Sequence, residues 1–354
     1  MRQMMKGNEA IAEAAVQAGC RYFFGYPITP QNEIPEYMSA RLPEVGGAFL
    51  QAESEVSAIN MVFGAASTGA RVMTSSSSPG ISLKQEGISY IVGAELPCVI
   101  VNMVRGGPGL GSIQPAQSDY YQATRGGGHG DYRMIVYAPA SIQEAVELTQ
   151  KAFDSADRYR NPVMILGDGC IGQMMEPVSM PEYKKPDDLG EKTWAATGYH
   201  PGCGRERNII NSLYIEPDRC EQHNLDLQAK YDAMKEREVM VKEEMTEDAD
   251  IIVVAYGTTA RIALTAVRKA REQGIKAGLI RPITVWPFPE KEIAAAAQRC
   301  KAFLTVEMSL GQMVDDVRLA VNGRRPVEFF GRTGGMIPGV SEIYDRILKI
   351  KEGL

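Results

Sequence analysis

At 354 residues and 38.7 kDa the chain is too long for one ordinary domain and suits two or three. Hydrophobic residues at 44% and charged residues at 23% exclude wholesale disorder, and a net charge of −6 argues against a nucleic-acid binder. No apolar run approaches the ~18 residues that span a bilayer, and the start MRQMMKGNEA lacks a hydrophobic signal core, so a cytoplasmic protein without membrane partners is expected.

From residue 7 to about 180 the pattern alternates helix and strand. Asn8 to Ala18 is Ala- and Glu-rich and amphipathic, with Gly19 as its C-terminal stop. RYFFGY (21–26) reads as a strand, Ser54 to Gly69 as a helix, RVMTSSS (71–77) as a strand and Ile81 to Val92 as a helix. PCVIVNMV (97–104) and PVMILGD (162–168) are β-branched apolar runs suited to buried parallel strands, with a helix from Ser141 to Ala156 between them. Residues 181–249 break the alternation. They hold a Pro- and Lys-rich stretch, the loop HPGCGRERN (200–208) and a long charged helix expected from about Cys220 to Glu244, packed on neighbouring subunits. Alternation resumes at Asp250: strand 251–257, helix Thr259 to Gln273, strand 276–284, helix 291–299, strand 301–307. The expected architecture is therefore α/β, two doubly wound domains (1–180 and 250–354) joined by an irregular, partly helical connector (181–249).

The six cysteines lie far apart, without the spacing of a zinc site or an iron–sulfur cluster, and no metal site is expected in this chain. GDGCIG (167–172) matches the dinucleotide fingerprint G-x-G-x-x-G, but that fingerprint needs a following helix, and Gln173–Glu176 run straight into Pro177. GDG also opens the thiamine diphosphate motif in which Asp and a downstream Asn hold magnesium. Residues 190–200, GEKTWAATGYH, contain no asparagine, so the magnesium–pyrophosphate half of such a site is missing.

The pyrimidine half has candidates. Thiamine chemistry needs one carboxylate beside the aminopyrimidine ring, so that C2 of the thiazolium can lose its proton. ESEVSAINMVFGAASTG (53–69) offers Glu53 and Glu55 at the start of a helix, although two first-turn carboxylates can equally serve only to stabilise a helix N-terminus. Three loops follow three strands: YPITP (26–30), TSSSSPG (74–80) and RGGPGLGSIQPAQSDYYQATRGGGHGD (105–131). Ligands of α/β sheets bind at the C-terminal ends of strands, so the three together outline a polar pocket.

These stretches, with AYGTTAR (255–261), LIRPITVWPFP (279–289) and VEMSLGQM (306–313), resemble the alpha subunit of the 2-oxoacid:ferredoxin oxidoreductases over nearly the whole chain. The resemblance implies a pyrimidine-binding domain followed by a transketolase C-terminal-like domain. It implies thiamine diphosphate shared with a beta subunit that carries Mg2+, and iron–sulfur clusters in partner subunits, with gamma and ferredoxin-like delta subunits expected. The implied reaction takes a 2-oxo acid, coenzyme A and oxidised ferredoxin to acyl-CoA, carbon dioxide and reduced ferredoxin.

Residue by residue, Glu55 matches the glutamate that activates the pyrimidine, because it stands nine residues before Gly64. Thr29 matches the threonine facing cofactor and substrate, with Tyr26, Pro27, Ile28, Ser78 and Gly80 beside the cofactor. Arg105 matches the arginine suited to grip the substrate carboxylate with its planar fork. The substrate loop has Gly109, Leu110 and Gly111, then Ser112, Ile113 and Gln114, where the commoner form reads GPSTG followed by PT. With DGCIGQMMEPV (168–178) this variant resembles the branched-chain type acting on 3-methyl-2-oxobutanoate, with pyruvate or 2-oxoglutarate as alternatives. His129 is read as a loop histidine before a coenzyme A contact. Two rivals stand beside this reading: a nicotinamide-linked dehydrogenase using GDGCIG, and a catalytically silent structural subunit.

Overall fold

The computed structural model describes residues 2–354. In chain order its first part comprises β1 (Gln3–Lys6), α1 (Gly7–Gln17), β2 (Tyr22–Gly25), α2 (Glu33–Glu44), β3 (Ala48–Gln51), α3 (Glu55–Ser67), β4 (Val72–Ser76), α4 (Ser78–Gly93) and β5 (Cys98–Val104). There follow α5 (Tyr120–Arg125), β6 (Ile135–Tyr137), α6 (Ile142–Tyr159), β7 (Pro162–Asp168), α7 (Gly169–Gln173) and β8 (Met175–Val178). The remainder comprises α8 (Pro217–Arg237), β9 (Val241–Glu244), β10 (Ile251–Val254), α9 (Gly257–Glu272), β11 (Ala277–Pro282), β12 (Thr284–Trp286), α10 (Glu290–Arg299), β13 (Ala302–Glu307), α11 (Met313–Val321), β14 (Val327–Gly331) and α12 (Val340–Glu352).

Two sheets carry the fold. The larger has the order β12-β6-β7-β5-β4-β2-β3, parallel except for β12. The smaller has the order β14-β13-β10-β11-β9, parallel except for β9. β5 and β7 are buried along their whole lengths, as strands covered by helices on both faces must be. Local signals agree with the elements they start: Ser54 Oγ accepts from Ser57 N at 3.2 Å and Ser141 Oγ from Glu144 N at 3.1 Å, each capping its helix.

The strands cross the sequence division at 249/250 twice. β9, from the connector, edges the second sheet, and β12, from the second part, edges the first. The main apolar core runs through both parts accordingly, from Ile11 and Phe23 to Ile280 and Trp286. The charged helix expected to reach Glu244 stops at Arg237. Glu238 is pulled inward there, accepting from Lys151 Nζ at 2.8 Å and Tyr159 OH at 3.0 Å, and the chain leaves as β9. Leu227, Tyr231 and Met234 are buried in the chain's own core, with the Tyr231 ring edge-on to Trp286 at 6.1 Å.

One further expectation needs correction. A helix does follow GDG, the single turn α7, because the Asp168 side chain caps it. After that turn Met175–Val178 pair antiparallel with β1, so Pro177 sits in a two-stranded ribbon.

Candidate active site

β2, β4 and β5 run parallel as neighbours; the stretch 74–80 expected as a loop is the end of β4, Ser77 and the first turn of α4, and Arg105, just after β5, links that turn to Thr29 after β2. Ser78 fastens that turn to β5. Its Oγ accepts from Arg105 N at 3.1 Å, and its backbone N–H donates to Asn102 Oδ1 at 3.2 Å. Asn102 in turn donates to Asp119 at 3.0 Å. Burial pushes the Asp119 carboxyl above its usual range, against the opposing hydrogen bonds. The 26–30 turn is fixed from the other side by Gln31, whose side chain pairs with Ser75 Oγ and reaches Tyr26 O at 3.5 Å.

Glu55 is the first residue of α3 and is 6% exposed. No side chain or backbone N–H among the described residues donates to its carboxylate. Gly80 lies against it: a Cβ there would stand 2.7 Å from Glu55 Oε1 and 2.1 Å from Ser76 Oγ, so any larger residue would displace one or both side chains. The Ser76 hydroxyl at this point is buried without a hydrogen-bond partner, as are those of Thr74 and Ser77 close to it in the chain. Three buried orphan hydroxyls are unusual, because each normally costs about 1–3 kcal/mol unless a partner is supplied. A carboxylate that the chain leaves unpaired, across Gly80 from such a hydroxyl, fits a polar aromatic ring such as the thiamine aminopyrimidine. Glu53, by contrast, is exposed in the bend before the helix.

The structure qualifies the role expected of Arg105. Its Nη1 donates to Thr29 O at 3.0 Å and its Nη2 to Leu110 O at 3.2 Å, so both ends of the fork already brace loops. The buried Nε has no partner. Arg105 thus joins Thr29 and Leu110, two of the residues singled out from sequence, through their main chains. Tyr26, Pro27, Thr29 and Leu110 are exposed and Ile28 is half-buried, while Gly109 needs its backbone freedom at φ +71°.

Thr29 also lies on the wall of a cleft of about 770 Å³. Its apolar lining is Pro30, Ile113, Pro115, Met174 and Ile337; Glu33 lines it too, and neither Arg nor Lys does. His129 stays apart from this cleft, edge-on to the Tyr90 ring at 5.7 Å, with Ser89 Oγ donating to its carbonyl at 2.6 Å.

GDGCIG is occupied with structure. Asp168 Oδ1 accepts from Cys170 N at 2.8 Å, Ile171 N at 3.2 Å and Thr258 Oγ1 at 3.0 Å, tying the first sheet to α9. A Cβ on Gly7 would fall 1.8 Å from Ile171 O, and one on Gly172 2.7 Å from Asn8 Oδ1, so these glycines serve the packing of α1 on α7. Among the described residues no three His, Cys, Asp or Glu side chains gather as a metal cage.

Sequence reasoning missed Lys84, which is fully buried one turn beyond Gly80, and Gln117. Gln117 bridges the two parts of the chain, donating to Tyr256 O at 2.9 Å and accepting from Met308 N at 3.0 Å. A signal for Lys84 existed: it stands in register with Ile81, Ile88 and Ile91 on the apolar face of α4. Nothing local marks Gln117, whose partners lie more than a hundred residues away.

Comparison with known proteins fits this arrangement. Residues 13–243 match the family described as pyruvate flavodoxin/ferredoxin oxidoreductase, thiamine diphosphate-binding, and residues 249–343 match pyruvate:ferredoxin oxidoreductase core domain II. The chain belongs to the 2-oxoacid:ferredoxin oxidoreductases. It is 51% identical to the ketoisovalerate oxidoreductase subunit VorB of Methanothermobacter marburgensis, over 99% of this chain and 97% of the relative. It is 40% identical to the 2-oxoglutarate synthase subunit KorA of Methanothermobacter thermautotrophicus, over 98% of each chain. Among solved structures it resembles the 2-oxoglutarate:ferredoxin oxidoreductase of Magnetococcus marinus with 2-oxoglutarate, coenzyme A and succinyl-CoA bound, at a TM-score of 0.86 and 26% identity. That match covers 98% of this chain but spans only 65% of the other. A split-gene transketolase shares the fold at a TM-score of 0.61 and 16% identity, over 98% of this chain and 97% of its own length. The first domain of an oxidoreductase of this family is therefore a thiamine diphosphate-binding one, and the nicotinamide reading of GDGCIG falls away.

Proposed function

We propose that this chain supplies the pyrimidine side of a thiamine diphosphate site whose pyrophosphate side belongs to a beta subunit carrying Mg2+, in a complex that oxidises a branched-chain 2-oxo acid. The observation that carries the reading is the unpaired, buried Glu55 carboxylate across Gly80 from the orphan hydroxyl of Ser76. When bound, the cofactor would supply a nucleophilic carbon for the 2-oxo carbonyl and a cationic ring that serves as the sink for the electron pair left by decarboxylation. Glu55 shares a proton with the pyrimidine nitrogen, and burial keeps water from competing for that proton. Tyr26, Pro27, Ile28, Thr29, Ser78 and Gly80 wall the cofactor, while Thr29, Arg105, Gly109 and Leu110 border the substrate. Coenzyme A receives the acyl group and ferredoxin the electrons, through iron–sulfur clusters held by partner subunits, among which gamma and ferredoxin-like delta subunits are expected.

Glu55→Gln in the assembled complex should lower kcat by about 10²-fold or more, the scale for losing a proton-transfer partner, while Glu53→Gln stays within a few fold. Activity of Glu55→Gln near that of the parent would overturn the assignment and favour a silent structural subunit.

The substrate is proposed as 3-methyl-2-oxobutanoate. The cleft beside Thr29 offers apolar walls and an acid, and its lining holds no Arg or Lys to pair with a second substrate carboxylate such as that of 2-oxoglutarate. The VorB relative, at 51% identity, points the same way. The check is kcat/KM of the complex for both acids. A preference for 2-oxoglutarate would remove the branched-chain assignment and leave the oxidoreductase reading standing.

A further inference from the structure

A lysine lies buried beside the candidate catalytic carboxylate with almost nothing to hold it. Lys84 of α4 is 0% exposed, and its one hydrogen bond among the described residues is a long one, Nζ to Glu55 O at 3.4 Å. Gly80 and Lys84 are four residues apart and so share one face of α4. Gly80 touches the Glu55 side chain and Lys84 touches its main chain, so one helix face contacts Glu55 at two points. An unpaired ammonium in a protein interior is costly, and an apolar side chain of equal length would ordinarily fill the space at lower cost.

We infer that Lys84 is a positioning residue for the reaction: its ammonium braces the first turn of α3 and places a positive charge behind Glu55. The inference rests on Glu55 being the pyrimidine partner. The charge steadies a carboxylate that the chain otherwise leaves unpaired, and the contact with the carbonyl keeps the α3 turn seated against Gly80. Glu55 on α3 is the charged group that bears on Lys84. From β5 and the loop after it, Asn102 and Asp119 face the same helix, but at its first turn.

Burial draws the Lys84 amine down to about 8, with Glu55 pulling the other way. The sign follows from a folded value below the ordinary 10.5. The buried charge lowers stability below about pH 8, and that loss is recovered as the pH rises toward 10.5. Loss of the charge above about pH 8 also removes the field behind Glu55, so kcat should fall along an alkaline limb centred there.

The test is Lys84→Met in the assembled complex, read by kcat at saturating 2-oxo acid from pH 6.5 to about 9.5, by thiamine diphosphate affinity and by thermal melting. We expect kcat at pH 7 to drop about tenfold, the scale of one charge-assisted contact, with the alkaline limb abolished. Cofactor affinity should stay within about threefold and the melting temperature should hold or rise. A structural brace alone would instead lower melting temperature, cofactor affinity and kcat together, and that outcome overturns the inference. So does an unchanged kcat with the limb intact. Should the variant fail to assemble, the parent complex decides: absence of an alkaline limb near pH 8 overturns the proposal. If Glu55→Gln is itself active, the underlying reading has failed; if only Lys84→Met behaves as the parent, Lys84 alone is wrong.

Discussion

Arg105 shows how one side chain can be asked to do two things. The type of residue is legible in sequence, since a guanidinium at the end of a buried strand beside a Gly-rich loop suits a carboxylate. What the sequence could not show is that two carbonyls reach the fork first, Thr29 O at 3.0 Å and Leu110 O at 3.2 Å. These contacts fold the YPITP turn and the substrate loop onto one another. Lysine could satisfy one carbonyl but not both, because it lacks the parallel donors. Arg105→Lys in the complex should therefore lower the melting temperature by about 2–4 °C and raise KM for the 2-oxo acid about tenfold. Paired titrations with 2-oxo acid and thiamine diphosphate separate the roles. A lowered melting temperature with KM unchanged leaves Arg105 as a brace and removes it from the substrate site.

At the scale of elements, the helices and strands that build the site were those most visible in sequence. α3 and α4 carry apolar residues at helical spacing, β5 and β7 are apolar runs rich in β-branched residues, and these and β4 each form within a few residues of the expected bounds. The elements that escaped include the full-length helices α2 and α12, which no expectation covered, and also short strands of another kind. β1 and β8 are four-residue strands that exist only by pairing with each other, and β12 has three residues and a partner far back in the chain. No window of sequence records a pairing of that sort. The end of α8 failed for a related reason: its charged pattern continues past Arg237, but Glu238 is claimed by Lys151 and Tyr159, both distant in sequence. Candidate site residues follow the same division. Glu55 and Gly80 are marked by local motif, whereas the unpaired hydroxyls of Ser76 and Ser77 become informative only once three dimensions show that nothing else meets them.

For the molecule as a whole, the question is what this chain can do alone. Its two parts are locked together by more than apolar packing. Arg125 grips Asp316 through two nitrogens at 3.1 and 2.7 Å, Gln117 spans from the substrate loop to β13, and Asp168 binds Thr258 at 3.0 Å. The same Asp168 Oδ1 caps α7 by accepting from Cys170 N and Ile171 N. The six cysteines are separate thiols, three of them buried. On the function proposed above, the chain folds as a unit and supplies one side of the cofactor site, with the remaining donors on a partner subunit. We expect the purified single chain to bind thiamine diphosphate weakly, to carry no stoichiometric iron and to show no oxidation of 2-oxo acid with ferredoxin. Adding the beta subunit with Mg2+ should raise cofactor affinity by at least about tenfold, because pyrophosphate and pyrimidine contacts then act on one ligand. Calorimetric titration of thiamine diphosphate into the chain, alone and with its partner, measures this directly. Full turnover by the single chain, or equal affinity in both titrations, would show that the site is complete within these residues and that the division of labour proposed here is wrong.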